Sequence, residues 1–228
     1  MDISQIQAVL FDLDGTLVDT APDMVACANR LRESEGLPPA DPLWVRNHVS
    51  QGAAGVLRAA FPEEDDDARA ARVEPFLDLY RQHLSVHSRL FDGMASLLDS
   101  LEAESMAWGV VTNKAEEFAR PLLTDMSLVS RLGALICGDT LPTKKPDPAG
   151  LLRAYEQVGA APAACVYVGD DPRDVQAAHA AGSLAVAAGW GYFTEDSPPE
   201  SWGADVLVDS PQELTRWLGL DLSRSTAG

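Results

Sequence analysis

The strongest constraint on the fold is a recurrence. Short apolar runs return along the chain: Ala8 to Phe11, Trp108 to Val111, Ala134 to Cys137, Cys165 to Val168, Leu184 to Ala187 and Asp205 to Val208. Runs this short, apolar at consecutive positions, suit strands buried on both faces of a parallel sheet. Helical patterns lie between them. Leu97, Leu98 and Leu101 share one face, and Leu151, Leu152, Tyr155 and Val158 share another. The second of these helices is predicted to open at the Asp147-Pro148 cap and to close at Gly159. Strands alternating with helices predict an α/β chain with a parallel sheet. A length of 228 residues accommodates one such domain with an inserted module.

Residues 21–88 break the rhythm. They hold no convincing strand but several amphipathic pieces: one starting at Pro22, one from about Gly52 to Phe61 and one from about Asp67 to Ser85. The spacing predicts a helical module inserted after the first strand, between core segments 1–20 and 89–228. The acidic run Glu63-Glu64-Asp65-Asp66-Asp67 reads as a solvated loop feeding a helix N-terminus. The tail 221–228 is expected to fray, and no internal repeat is present.

Charge and targeting signals exclude whole classes of function. The net charge is −18, from 17 Lys and Arg against 35 Asp and Glu. Such a chain lacks the basic face that replaces counterions on nucleic acid, and an anionic membrane repels it. Cys27, Cys137 and Cys165 are odd in number and widely spaced, so they read as buried free thiols of a reducing compartment. The first residues have neither the basic nor the apolar part of a signal peptide, and no apolar stretch is long enough to span a bilayer. The expectation is a cytoplasmic protein, alone or in a small homo-oligomer, acting on a small molecule.

Chemistry concentrates where the first strand ends, at Phe11-Asp12-Leu13-Asp14-Gly15-Thr16-Leu17-Val18-Asp19-Thr20. Two carboxylates two residues apart project the same way. They leave the end of a parallel strand, where open α/β sheets place their ligands. So close together they repel, unless a cation lies between them or one holds a proton. Gly15 lets the chain turn sharply beside a ligand.

Three further segments follow later strands: Gly109-Val110-Val111-Thr112-Asn113-Lys114, Lys144-Lys145-Pro146-Asp147-Pro148 and Val168-Gly169-Asp170-Asp171-Pro172-Arg173-Asp174. In this order, the four segments resemble the motifs of the haloacid dehalogenase superfamily, in its phosphatase branch. The resemblance implies a Rossmann-like core with an inserted helical cap, and a catalytic set of Asp12, Asp14, Thr112 and Lys145. Asp12 would be the nucleophile, forming an aspartyl-phosphate, and Asp14 the general acid and base. Mg²⁺ would be held by the Asp12 and Asp170 carboxylates and the Asp14 main-chain carbonyl, with Asp174 holding a metal-bound water. Asp171 stands where Ser or Thr is usual and would add negative charge near the metal. Thr112, Lys145 and the Asn113 amide would bind the phosphoryl oxygens, with Gly15 and Thr16 alongside.

The insertion would close over the site and read the leaving group. Ser50-Gln51-Gly52-Ala53 falls where such caps carry a Gly-containing specificity loop, so Gly52 is a candidate contact. Arg46 and Arg58 flank it, and either could clamp a substrate carboxylate, whereas His83 and His87 read as structural or exposed. The absence of a cap lysine argues against phosphonoacetaldehyde hydrolases, and Asp14 argues against the dehalogenases themselves.

The whole chain resembles the phosphoglycolate phosphatase group, and within that group several stretches, spanning most of the core from 87 to 214, resemble the bacterial N-acetylmuramic acid 6-phosphate phosphatases. The segments that carry this are His87 to Met94, Trp108 to Lys114, Leu135 to Cys137, Val168 to Asp174 and Trp202 to Asp209. The implied substrate is N-acetylmuramate 6-phosphate, with phosphoglycolate as the alternative. A sugar-phosphate mutase shares all four motifs. A phospho-acceptor domain without turnover shares the Asp, Thr and Lys, but it is about half as long and lacks the second acid. All three lysines lie in or beside the motifs, and the pattern predicts that Lys145 does the phosphate work while Lys114 and Lys144 are peripheral.

Overall fold

The computed structural model describes residues 3–220, so Met1, Asp2 and the expected frayed tail 221–228 lie outside the described residues. In chain order the elements begin with β1 (Ala8–Phe11) and β2 (Val18–Asp19). There follow α1 (Ala21–Ser34), α2 (Pro42–Arg46), α3 (Gly52–Ala60), α4 (Asp66–Ala71) and α5 (Val73–Gln82). Next come β3 (Arg89–Leu90), α6 (Met94–Ala103), β4 (Ala107–Val111), α7 (Glu116–Asp125), β5 (Ala134–Ile136) and α8 (Ala149–Val158). The chain ends with β6 (Cys165–Gly169), α9 (Pro172–Ala181), β7 (Leu184–Ala188), β8 (Val206–Val208) and α10 (Pro211–Trp217). Each apolar run singled out in the sequence forms a strand of one sheet, in the order β5-β4-β1-β6-β7-β8. Every pairing in that sheet is parallel.

Burial on both faces explains why the strands are apolar throughout. Val9, Phe11, Trp108, Val110, Val166 and Val168 point into one core, with Leu97, Leu98 and Leu101 of α6 and Leu122 and Leu123 of α7. Ala8, Leu10, Val111, Cys165 and Tyr167 point into the other, with Leu151 and Tyr155 of α8 and Val175 of α9. The result is helices on both sides of a parallel sheet. After β1 the chain builds outward through β4 and β5, then crosses back to add β6, β7 and β8 on the other side. The point of reversal lies beside β1, which is where such sheets bind ligands.

Helices α1, α2, α3 and α5 form a third apolar cluster around Val45, Val56, Leu57, Phe61, Phe76 and Tyr80, which Phe118 and Tyr192 join from the α/β part. The chain enters and leaves this segment through the antiparallel pair β2–β3, which the sequence analysis did not foresee. Asp23, in the first turn of α1, accepts hydrogen bonds from the backbone N–H groups of His87 and Ser88 at 2.8 and 2.9 Å, tying exit to return.

Three local expectations need correction. The single helix expected over 67–85 is two, α4 and α5, because Pro75 has no N–H to give to the Ala71 carbonyl and so breaks the ladder. Helix α2 was not predicted; its first turn is capped by Asp41, which accepts from Leu43 N–H. Leu152 stands 39% exposed beside the buried face of α8, and that helix begins at Ala149, whose N–H donates to Asp147. The acidic run behaves as expected, with Asp65 capping α4. The three cysteines are free and buried.

At Gly109 β4 packs closely on its neighbour. A Cβ there would sit 2.7 Å from the Ala134 carbonyl oxygen of β5. Gly109→Ala is therefore expected to lower unfolding free energy by about 1–3 kcal/mol, as overpacked cores do, with urea denaturation as the measurement.

Candidate active site

Three strand ends build the site. The backbone of Asp12 continues the β1–β6 ladder, its N–H donating to Val168 O at 2.9 Å, so its side chain leaves the sheet at the C-terminal edge. Asp170 follows β6 directly, and Thr112 follows β4 with its N–H donating to Ile136 O at 2.9 Å. Asp12, Asp170 and Asp174 are all buried, and each offers a carboxylate oxygen such that the three lie within 4.8 Å of one another. This is the acidic metal-type cluster found among the described residues, and the run at 63–67 is not part of it.

Lys145 answers that charge. Its Nζ lies 2.9 Å from Asp12 Oδ1 and 2.7 Å from Asp174 Oδ1, and it donates to the Tyr167 hydroxyl at 2.8 Å. Burial alone would lower its pKa, but the Asp12 and Asp174 carboxylates outweigh burial and hold it raised. One lysine is not enough for three acids. Burial, with Asp12 and Asp174 nearby, pushes Asp170 well above the usual aspartate range. Burial also raises Asp174, to about 7, against the opposing pull of Lys145. Hard oxygen ligands with uncompensated charge are what a small divalent cation requires, so the residues present fit Mg²⁺.

Asp170 is held from several sides. Thr16 Oγ1 donates to its Oδ1 at 3.0 Å, and Tyr192 N–H and Ser50 Oγ each donate to its Oδ2 at 2.8 Å. Thr16 thus supports an acid instead of lining the space where substrate would sit, which corrects its expected place. Gly15 is corrected likewise. At φ +83° it turns the chain against the Asp170 carboxylate, leaving no room for a Cβ. Asp171 does not add free charge to the cluster. It caps α9, and the Arg173 side chain grips it through Nε at 2.7 Å and Nη2 at 2.8 Å.

Asp14 has partners of its own. It accepts from Thr20 Oγ1 at 2.6 Å and from Lys114 Nζ at 3.0 and 3.2 Å. The two carboxylates of the first motif therefore avoid repulsion by taking one lysine each. Lys114, expected at the periphery, is instead only 7% exposed and also donates to the Tyr80 hydroxyl at 3.0 Å. Asn113 fixes the other lysine's loop: its Oδ1 accepts from Lys145 N–H at 2.9 Å and its Nδ2 donates to Lys145 O at 3.1 Å.

A cavity of about 430 Å³ opens over these groups. Its floor holds Asp12, Asp14, Thr112, Asn113, Lys145 and Asp174, and Ser50 to Ala54 roof it from the helical segment, so Gly52 lies where expected. Arg46 and Arg58 do not line it. Arg46 bonds Asp19 at 2.7 Å and stacks 4.6 Å over the Tyr192 ring, while Arg58 reaches Gln51 at 3.3 Å. Each guanidinium is held by that partner and neither lines the cavity, so the carboxylate clamp expected of them is not formed in this structure. The cavity's cationic lining is Lys114, Lys144, Lys145 and Arg173. Arg173 also donates to Ser50 O at 2.7 Å, joining α9 to the roof. Arg173 stands inside the fourth motif, so proximity to Asp174 was a usable signal. Tyr80 and Tyr192 reach the site from remote elements, and nothing local in the sequence marks them.

Among the described residues, no helix is long and apolar enough to cross a membrane. A family model of haloacid dehalogenase-like hydrolases matches residues 9–188. The chain is 47% identical over 208 residues to a phosphoglycolate phosphatase of Xanthomonas campestris pv. campestris, covering 91% of this chain and 94% of that one. It is 43% identical over 214 residues to an N-acetylmuramic acid 6-phosphate phosphatase of Pseudomonas aeruginosa, covering 92% and 93%. The crystal structure of a predicted phosphoglycolate phosphatase from Haemophilus somnus superposes with a TM-score of 0.82 at 28% identity, over 93% of this chain and 98% of that one. With its motifs gathered at one sheet edge and matched over most of its length, the chain belongs to the haloacid dehalogenase-like hydrolases, in their phosphatase branch.

Proposed function

We propose that the enzyme hydrolyses a small, carboxylate-bearing phosphomonoester with bound Mg²⁺, through an aspartyl-phosphate on Asp12, and that N-acetylmuramate 6-phosphate is the substrate. The observation that carries this reading is the Asp12 carboxylate, paired to Lys145 within the Asp170–Asp174 cluster, at the floor of the 430 Å³ cavity. In the first half-reaction an Asp12 oxygen attacks phosphorus, the bond to the leaving oxygen breaks, and Asp14 supplies the proton that oxygen needs. In the second, Asp14 takes a proton from water as the water attacks phosphorus, and Asp12 leaves as a free carboxylate.

Asp12, Asp170 and the Asp14 carbonyl would hold Mg²⁺, which when bound neutralises the phosphoryl oxygens; Asp174 stands beside them. Lys145 supplies the fixed positive charge on the other flank, and Thr112 and Asn113 form the wall that faces the phosphoryl group. Residues 21–88 act as the cap over a core made of 1–20 and 89–228, shielding the chemistry from water in a cytoplasmic enzyme.

The cavity walls favour a sugar-sized leaving group. Met24, Val49, Leu77 and Phe118 give it an apolar side that a two-carbon acid would leave uncovered, while Lys144 offers charge for a carboxylate. The names of the Xanthomonas and Pseudomonas relatives support phosphoglycolate and the muramate ester respectively. Steady-state kinetics on both esters should give the higher kcat/KM with N-acetylmuramate 6-phosphate. A preference for phosphoglycolate would replace the substrate but leave the chemistry.

Two further outcomes follow from the site. Asp12→Asn should abolish metal-dependent release of phosphate from an aryl phosphate, and Lys145→Ala should lower kcat/KM by about 10²–10³-fold. Retained turnover in Asp12→Asn would remove the nucleophile from its assigned place.

The raised acids also predict a pH effect on stability. An acid with a higher pKa folded than unfolded binds more protons in the folded state. Its stabilising contribution is therefore present at low pH and lost as pH climbs from the ordinary 3.8 through about 7 for Asp174. Thermal unfolding of metal-free protein should thus show Tm falling between about pH 5 and about pH 8, with a Mg²⁺ increment that grows over the same range. An increment that does not change with pH would contradict the metal assignment.

A further inference from the structure

One buried cation has no task in the chemistry above. Lys114 reaches both oxygens of Asp14, at 3.0 and 3.2 Å, and its remaining close partner is the hydroxyl of Tyr80 at 3.0 Å. The Tyr80 ring also lies against the ammonium, 4.7 Å from centroid to Nζ. Tyr80 belongs to α5 of the helical segment and is fully enclosed between Phe76 and Phe118. The ammonium stays charged. Burial works against it, but the Asp14 carboxylate and Tyr80 more than offset that.

The lysine therefore spans two layers, with one side on the acid–base group of the core and the other on a helix of the lid over the cavity. Thr20 Oγ1, 2.6 Å from Asp14 Oδ1, completes the set of donors around that carboxylate. The hydrogen bonds from Thr20 and Lys114 fix the direction of Asp14, whose second task in the proposed chemistry is to take a proton from water.

We propose that Lys114 and Tyr80 are a positioning pair that sets Asp14 as the base of the second half-reaction and makes this setting depend on α5 being packed over the site. The inference rests on the phosphatase reading and adds a division of labour to it. In the step concerned, water oxygen bonds to phosphorus, Asp14 takes one proton of that water, and the phosphorus–oxygen bond to Asp12 breaks with its electron pair returning to the Asp12 carboxylate. Phosphate leaves, and no other reactant is needed. The role of Lys114 in this step is carried through Asp14.

An activated aryl phosphate separates the two halves, because its leaving group needs no proton. With that substrate kcat/KM reports formation of the aspartyl-phosphate and kcat reports its breakdown. Lys114→Met should lower kcat by about 10- to 100-fold, the scale of a hydrogen bond to a charged group, with KM falling in parallel and kcat/KM held within about threefold. Rapid quenching should find Asp12 phosphorylated in most of the Lys114→Met enzyme during turnover.

Tyr80→Phe removes the hydroxyl alone and should shift kcat the same way by about two- to fivefold. If Lys114→Met fails to fold by circular dichroism, Tyr80→Phe decides. Equal losses in kcat and kcat/KM, or an unchanged kcat in Tyr80→Phe, would overturn the proposal. A wild-type enzyme that never forms an aspartyl-phosphate would instead defeat the phosphatase mechanism itself, which keeps the two failures apart.

Discussion

Carboxylate repulsion governs this active site. Asp12, Asp170 and Asp174 are gathered within 4.8 Å, out of water, at the end of a sheet. Such a cluster is stable only with compensating charge or retained protons. Each neighbouring feature can be understood as an answer to it. Lys145 lies between Asp12 and Asp174, and Tyr167 anchors its ammonium from below. Thr16, Ser50 and the Tyr192 amide surround Asp170 with donors. Asp14 is drawn off to Lys114, and Asp171 is drawn off to Arg173. Burial and the neighbouring acids raise Asp170 and Asp174, and a divalent cation is the kind of group that would supply the missing positive charge.

The same contacts join the two halves of the molecule. Ser50 and Tyr80 come from the helical segment, yet their hydroxyl groups end on Asp170 and on Lys114. Arg173 returns the connection from the core by donating to Ser50 O. At the other edge Tyr192 sends its backbone N–H to Asp170 and its hydroxyl to Asp19, which Arg46 also holds. The helical segment therefore meets the α/β part through polar contacts to these acids as well as through the apolar cluster it shares with Phe118 and Tyr192.

Much of this was visible in the chain itself. Asp12, Thr112 and Asp170 stood out because each directly follows an apolar strand, and parallel strands deliver their C-terminal ends to one edge, whereas Lys145 and Asp174 were marked by the resemblance of their segments to family motifs. Elements built from local patterns were equally readable: β1 and the acid cap of α4 lie where the residues put them. The failures have local causes too. Pro75 was overlooked as a helix breaker, so α4 and α5 were merged. Arg46 and Arg58 were assigned by proximity to the Gly52 loop, but a guanidinium on a long side chain can turn to any nearby acceptor, and Asp19 and Gln51 were nearer.

What the sequence determined alone is the sheet and the edge at which its motifs gather, since burial on two faces and turn chemistry act over a few residues. Which cation serves which acid was decided only by the tertiary structure. Lys114 and Lys145 look alike as motif lysines, and Coulomb attraction acts through space without regard to order along the chain. Folding set Lys145 among Asp12 and Asp174 and set Lys114 between Asp14 and a tyrosine more than thirty residues away. The roof of the cavity was decided in the same way. Its size, its apolar wall and its contact with Asp170 depend on how five helices pack over a sheet that was already specified.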